Sequence, residues 1–237
     1  MVSAVQFAVG IVGNVISMCL FFSPAPTFVK IYRTKTVGEY SAVPYIATLM
    51  NCLLWLFYGS PFVKMGVLVV TINGAGVIIQ TSYLLIFLIY AKDIKKLRNT
   101  LLMILVAILL YIVVVSVNML AIDKKHDREV IVGILCVIVG TSMYISPLTI
   151  METVVRTKST DYMPLPLSIF NLLNGIVWTT YALIGHDLFI TIPNALGVLF
   201  AVCQLTLYMC YCGASKRNQI TSPKTPRGMS FASQNGA

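Results

Sequence analysis

Acidic side chains are scarce in this chain. Of 237 residues only eight are Asp or Glu, and none falls in the middle of a long apolar run. Histidine is scarcer still: His126 and His186 are the two examples, and neither lies deep in an apolar segment. There is no metal constellation, no nucleophile–base cluster and no nucleotide-binding loop, so the sequence reads as neither an enzyme nor a cofactor-dependent protein. The lack of mid-span carboxylates also argues against proton coupling, which needs an ionisable relay inside the bilayer. Six cysteines are present, all inside or at the edge of apolar segments, which excludes a disulfide scaffold. Charged residues make up only 11% of the chain, against about 25% in soluble domains, while 58% of it is hydrophobic. No separate soluble domain is left once the apolar runs are removed.

What is there is a set of seven apolar segments, at 5–29, 42–61, 66–90, 101–122, 130–151, 165–185 and 190–212. Each is near the roughly 20 residues that a helix needs to cross a bilayer. Lipid offers no partner to backbone polar groups, so the spans are predicted to be helices. The runs are continuous rather than alternating, which disfavours a β-barrel. The N-terminus lacks a basic leader region, so the first run is expected to be a retained span rather than a cleaved signal. Residues 214–237 are polar and rich in Ser, Thr, Lys and Gly, and read as a disordered cytosolic tail. In that tail Ser222 and Thr225 each precede a proline and are candidate phosphorylation sites. With the N-terminus outside, thirteen Lys and Arg fall on the cytosolic side and four outside, as the positive-inside rule requires. That asymmetry accounts for the +9 net charge without a nucleic-acid partner.

The chain repeats itself. Ser23-Pro24 recurs as Ser146-Pro147, 123 positions on, and at the same offset Arg33-Thr34-Lys35 matches Arg156-Thr157-Lys158. Ile46, Leu49, Asn51, Trp55 and Tyr58 match Ile169, Leu172, Asn174, Trp178 and Tyr181. These are ten identities in 36 positions, where about two or three would arise from ordinary composition. Asn73 and Gly76 match Asn194 and Gly197 at an offset of 121. Three spans return the chain to the opposite face, so a second copy would be inverted without one extra crossing. The predicted fold is therefore an all-α membrane protein of seven transmembrane helices, two parallel three-helix bundles joined by a linker helix (3+1+3). Its parts are a first repeat at 1–92, a linker with flanking loops at 93–128, a second repeat at 129–213 and the tail at 214–237. Ser116 and Asn118 are the few polar groups of the linker, which is read as peripheral.

Asn73 and Asn194 are the first candidate site. An amide has two donors and a carbonyl acceptor, which suits a small polar molecule whose groups both give and accept. The alternative is that each asparagine bonds a neighbouring helix as packing glue. Trp178 and Trp55 occupy matching positions, and an aromatic face can stack on the apolar face of such a molecule; membrane tryptophans also serve as interfacial anchors. Asn51 and Asn174 are read as interhelical hydrogen bonds rather than contacts to it.

Several stretches together resemble the SWEET (MtN3/saliva) family of sugar transporters, in its plant-type, seven-helix form. They include Gly13-Asn14, Tyr40-Ser41-Ala42-Val43-Pro44-Tyr45, Asn51-Cys52, Tyr58-Gly59, Thr71-Ile72-Asn73-Gly74, Tyr162-Met163-Pro164 and Ile192-Pro193-Asn194, beside the repeated Ser-Pro, Arg-Thr-Lys, Trp and Tyr positions. The resemblance spans about residues 5–212. It implies that Asn73 and Asn194 bind sugar, that Trp178 stacks on it, and that Trp55 narrows the pocket toward a monosaccharide. It implies a proline tetrad, Pro24, Pro44, Pro147 and Pro164, at which helices bend during gating. Tyr58, Tyr181 and Asp187 resemble an external gate, with an aromatic belt and a solvated carboxylate as the alternative. Tyr40 and Met163 are candidates for the opposite gate, and Gln204 for a brace on a kinked backbone. The expected function is bidirectional facilitative uniport of a hexose such as glucose by alternating access, with sucrose preference, or more remotely a seven-helix receptor, as alternatives. The implied partners are a mono- or disaccharide, membrane lipid and, as an open option, further copies of the chain in a homo-oligomer; no nucleic acid and no cofactor are expected. The expected location is the plasma membrane, multi-pass, with the vacuolar membrane second.

Overall fold

The computed structural model describes residues 3–161 and 163–221. In chain order the helices are α1 (Ala4–Phe22), α2 (Ala25–Thr34), α3 (Val43–Tyr58), α4 (Val67–Tyr90), α5 (Ile94–Leu120), α6 (Lys125–Ser142), α7 (Ile145–Thr157), α8 (Leu165–Ile184) and α9 (Leu188–Thr221). Among the described residues there is no strand. Helices α1 and α2 together make one crossing, and α6 and α7 another, so the chain crosses seven times. Six crossings are long and apolar enough to span; α3 is shorter but equally apolar. The outward faces carry the apolar residues that lipid requires: Leu101, Leu105, Leu109 and Val113 of α5 are all exposed.

Packing follows the repeat. Helix α1 lies against α4 and α8, and its counterpart α6 lies against α9 and α3. Helix α3 packs on α4 as α8 packs on α9, while the linker α5 rests on α3 and α6. This is the 3+1+3 arrangement. Each half closes through a glycine. A Cβ at Gly76 would lie 2.7 Å from Cys52 Sγ and 2.8 Å from the ring of Phe21, and one at Gly197 would lie 2.5 Å from the hydroxyl of Tyr144. Phe21 and Tyr144 are themselves related by the 123-residue offset. At one face α2 and α7 end at Lys35 and Lys158, both left-handed, with φ of 54° and 52°. Each lysine Nζ donates to a tyrosine at the end of the third crossing, Tyr90 or Tyr211, at 3.1 Å in both halves.

Four expectations are corrected. The first and fifth spans are broken, at residues 23–24 and 143–144. Pro24 is the N-cap of α2 and Pro26 follows in its first turn; Pro147 occupies the first turn of α7. A proline there denies the preceding helix its N–H donor, so the ladder stops. Pro44 and Pro164 sit where helices begin rather than within a crossing. Pro44 is in the first turn of α3 and Pro164 is the N-cap of α8, where a missing N–H costs no intrahelical bond. Second, α5 begins at Ile94 rather than 101, so Lys95, Lys96 and Arg98 are helical. Third, α9 continues to Thr221, so 214–221 are helix rather than disordered tail; Ser222, Thr225 and the rest of the tail lie outside the described residues, as does Tyr162. Fourth, the linker is less peripheral than its composition suggests. Asn118 is 1% exposed, and Arg128 of α6 donates from Nε to the carbonyl of Ile122 at 2.7 Å, covering the C-terminal end of α5.

Gly76→Ala is expected to lower stability by about 1–3 kcal/mol, because the added methyl meets a sulfur and a rigid ring rather than a flexible chain end. Thermal unfolding in detergent measures it; an unchanged midpoint would mean that α4 can back away from α1 freely.

Candidate functional site

A cavity of about 250 Å³ opens between the two halves. Asn73 and Trp55 line it from the first half, Asn194 and Trp178 from the second, with Asn51 and Asn174 beside them. The four sequence candidates for substrate contact therefore share one space, and no ionisable side chain is among the described residues that line it.

Each paired asparagine is held by its own helix. Asn73 Nδ2 donates to the carbonyl of Val69 at 2.8 Å, and Asn194 Nδ2 donates to that of Ile190 at 2.8 Å. Both are bonds to the residue four positions back, which fix the rotamer without tying α4 or α9 to a neighbour. The glue reading requires a bond to another helix, and neither amide makes one among the described hydrogen bonds. One N–H and the carbonyl oxygen of each amide are left for the cavity.

Trp178 is fixed differently. Its Nε1 donates to Ser17 Oγ of α1 at 2.9 Å, and that hydroxyl donates on to Asn174 Oδ1 at 2.6 Å. The relay consumes the indole N–H, so the ring offers the cavity only its apolar surface. It also bears out the interhelical reading of Asn174. Asn51 differs: its Oδ1 is buried with no hydrogen-bond partner. The residue that matches Ser17 in the second half is Gly140, which has no hydroxyl to give. Each tryptophan stands edge-on to the tyrosine one turn later, Trp55 to Tyr58 at 5.3 Å and Trp178 to Tyr181 at 5.2 Å between centroids.

Above the cavity the two halves are bonded shut. Asp187, 6% exposed, accepts from the Tyr58 hydroxyl with both carboxylate oxygens, each at 3.0 Å. It also caps α9, accepting from the backbone N–H of Ile190 at 3.2 Å. An aspartate immediately before a helix takes that position readily, since its oxygen satisfies an orphan donor. Lys64, in the α3–α4 turn, reaches Asp187 at 3.6 Å and forms an ion pair with Glu129 of α6. Burial opposes the charge on Lys64, but its hydrogen bond to Glu129 and the field of Asp187 outweigh that and raise its pKa above the ordinary lysine value. Among the described hydrogen bonds the Tyr181 hydroxyl makes no such closure; its ring packs under Trp178, and its carbonyl accepts from Gln6 Nε2 at 3.3 Å.

The candidates for the opposite gate and the brace lie elsewhere. Met163 is buried in the turn before α8 and Tyr40 sits beside the start of α5, both away from the cavity lining. At Gln204 no bond to the broken backbone is among those described. The breaks are instead braced by tyrosines: Tyr83 donates to the carbonyl of Phe21 at 3.2 Å, and Tyr144 donates to that of Pro193 at 2.6 Å. Sequence reasoning missed Ser17, Lys64, Glu129, Tyr83 and Tyr144. For Lys64 a signal existed. It stands six residues beyond Tyr58, as Asp187 stands six beyond Tyr181, so the repeat itself pairs a cation with an anion.

Comparison with known proteins agrees with this architecture. The family profile described as sugar efflux transporter for intercellular exchange (MtN3/saliva) matches residues 7–95 and 130–216, one segment per half. The bidirectional sugar transporter SWEET7b of Oryza sativa subsp. japonica is 51% identical over 219 residues, covering 92% of this chain and 82% of the relative. The bidirectional sugar transporter SWEET5 of Arabidopsis thaliana is 42% identical over 220 residues, 92% of this chain and 91% of the relative. Among solved structures, the 3.7 Å structure of a eukaryotic SWEET transporter superposes with a TM-score of 0.84 at 33% identity, over 88% of this chain and 97% of that one.

Because Tyr58 and Asp187 bond each other across the halves, their contributions should not add. Tyr58→Phe and Asp187→Asn are each expected to lower the melting midpoint, and the double variant to lose little more than the larger single loss. Strictly additive losses in a double-mutant cycle would mean that the mouth is held by something else.

Proposed function

The chain belongs to the MtN3/saliva family of SWEET sugar transporters, and on that premise we propose that it is a facilitative uniporter that carries a hexose such as glucose in either direction by alternating access. Membership is of a carrier family rather than an enzyme family. The observation that carries the hexose reading is the single cavity of about 250 Å³ in which both halves present a free amide edge and a tryptophan face. Pockets for drug-sized ligands run from about 300 to 1,000 Å³, so this one suits a single sugar ring better than two joined rings. Trp55 and Trp178 supply the apolar surface that a pyranose C–H face needs. The unspent donors and acceptors of Asn73 and Asn194 replace water on its hydroxyls, each of which would cost about 1–3 kcal/mol if left unpaired.

The uncharged lining supports transport down a gradient rather than proton coupling, since a coupled carrier needs a titratable relay. The Lys/Arg-rich face supports an orientation with Asp187 and Lys64 outward and Lys35 and Lys158 cytosolic; the family makes the plasma membrane the proposed location, with the vacuolar membrane second. In that orientation the outer mouth is shut. Opening it exchanges the Tyr58–Asp187 and Lys64–Glu129 bonds for closure below, with α2 and α7 pivoting at the broken segments after residues 22 and 142.

Counterflow of labelled glucose and sucrose through protein in liposomes tests this. Glucose is expected to exchange severalfold faster than sucrose, and an imposed pH gradient to drive no accumulation. Asn73→Ala and Asn194→Ala are each expected to cut exchange at least about tenfold, the worth of one or two hydrogen bonds, with a normal gel-filtration profile. Equal rates for both sugars would sink the hexose reading; unfolded alanine variants would return the asparagines to a structural role.

A further inference from the structure

The two breaks, which stand three residues apart in the register of the repeat, are braced in opposite senses. In the first half the hydroxyl belongs to the third crossing: Tyr83 of α4 donates to the carbonyl of Phe21 in α1. In the second half the hydroxyl belongs to the break itself. Tyr144, the N-cap residue of α7, donates to the carbonyl of Pro193 in α9 at 2.6 Å. Pro193 directly precedes Asn194. The matching residue to Tyr144 is Phe21, which has no hydroxyl, and the matching residue to Tyr83 is Gln204, so the exchange of partners is written in the chain.

The groove that receives Tyr144 is built for it. A Cβ at Gly197 would stand 2.5 Å from its hydroxyl but 3.4 Å from the ring carbon that bears it, so glycine there makes room for the oxygen specifically. The ring lies 4.9 Å from that of Phe200, one turn further along α9. Met143, the neighbour of Tyr144 in the break, lines the sugar-sized cavity. The bending segment of the fifth crossing thus touches the cavity with one residue and grips the backbone beside Asn194 with the next.

We propose that Tyr144 is a positioning residue, which couples the bend of the fifth crossing to the orientation of Asn194 and so lets an occupied site bias the break on that side alone. Proline lacks the N–H that would anchor residue 193 to the turn before it, so this segment of α9 is the part of the helix most easily turned by a lateral pull. The first half has no equivalent, because Asn73 follows Ile72, whose helix position receives no bond from Phe21. The proposal rests on the hexose reading above, and its failure is separable from the failure of that reading.

Hydrogen exchange on the full chain in lipid nanodiscs, with and without saturating glucose, tests it. In the wild type, glucose should slow exchange both around 189–197 and in the break at 141–147. In Tyr144→Phe the first response should remain and the second disappear, and the apparent KM for glucose counterflow should rise roughly three- to tenfold, the worth of one hydrogen bond. Tyr83→Phe, which cuts the brace of the first half, should leave the response at 141–147 intact. A break that still responds to glucose in Tyr144→Phe overturns the proposal, and so does its loss in Tyr83→Phe, which would show general loosening. If glucose slows exchange in neither segment of the wild type, the hexose reading fails and the proposal falls with it. Should Tyr144→Phe not fold, Gly197→Ala takes its place, because its methyl displaces the hydroxyl and keeps the ring. It should abolish the response at 141–147 as well, and retention of that response would overturn the proposal.

Discussion

A bilayer interior supplies no water, so a polar atom within it either finds a partner in the protein or stays unpaired until one arrives. Most of this chain is arranged for the first outcome. The hydroxyls of Thr48, Ser82, Thr141 and Thr180 all turn back onto carbonyls of their own helices. Ser17 joins Trp178 to Asn174 in a closed relay. The second outcome occurs in several places, at Asn118 of the linker and Gln80 of α4 as well as where the halves meet. There Asn73 and Asn194 spend one N–H each on their own helices, and Asn51 Oδ1 has no partner at all. Where such unmet capacity lines a cavity, it is open to a polar solute. The shortage of charge matters as much, because a buried ion would cost far more than a buried amide and would demand a counter-ion.

Duplication explains how so small a chain makes such a site. Each half contributes one tryptophan and two asparagines, and the contacts that set their positions recur: glycine under the aromatic residue at 21 or 144, tryptophan edge-on to tyrosine, lysine reaching the tyrosine that ends the third crossing. The departures from symmetry are equally physical. Ser17 against Gly140 decides which of two equivalent asparagines is satisfied internally. Phe21 against Tyr144 decides which break bonds the backbone directly beside its half's asparagine. A perfectly symmetric pocket would suit a symmetric solute, and a pyranose is not one.

Much of this could be read from residues alone. The spans, their number and the linker follow from hydropathy and from the parity of three crossings, since lipid forces apolar runs into helices of nearly fixed length. Asn73, Asn194, Trp55 and Trp178 were legible because the repeat marks them twice. What was hidden belongs to contacts between distant segments. A proline's effect depends on its helix position: Pro24 stands in a break and Pro147 in the first turn after one, whereas Pro44 and Pro164 stand where a helix begins. Asn118 resembles a peripheral polar residue until α3 and α6 are packed against its helix. Ser17 and Tyr144 are ordinary residues in apolar runs, and only the crossing of α1 with α8 and of α6 with α9 gives their hydroxyls something to bond.

The closed mouth sets the energetic scale for any cycle of opening. It rests on a buried tyrosine–carboxylate pair and on a lysine shared between Glu129 and Asp187 that is partly open to solvent. A hydrogen bond to a charged group contributes about 1.5–3 kcal/mol, and a partly exposed ion pair about 1 kcal/mol or less. Under the proposed alternating access, a closure of this size is one that contacts at the other face could replace. Two states within a few kcal/mol of each other are what an uncoupled carrier needs, because no ion gradient helps it across. A deeper network of charges at the mouth would hold one state too firmly, and the eight acids of this chain are few enough to prevent it.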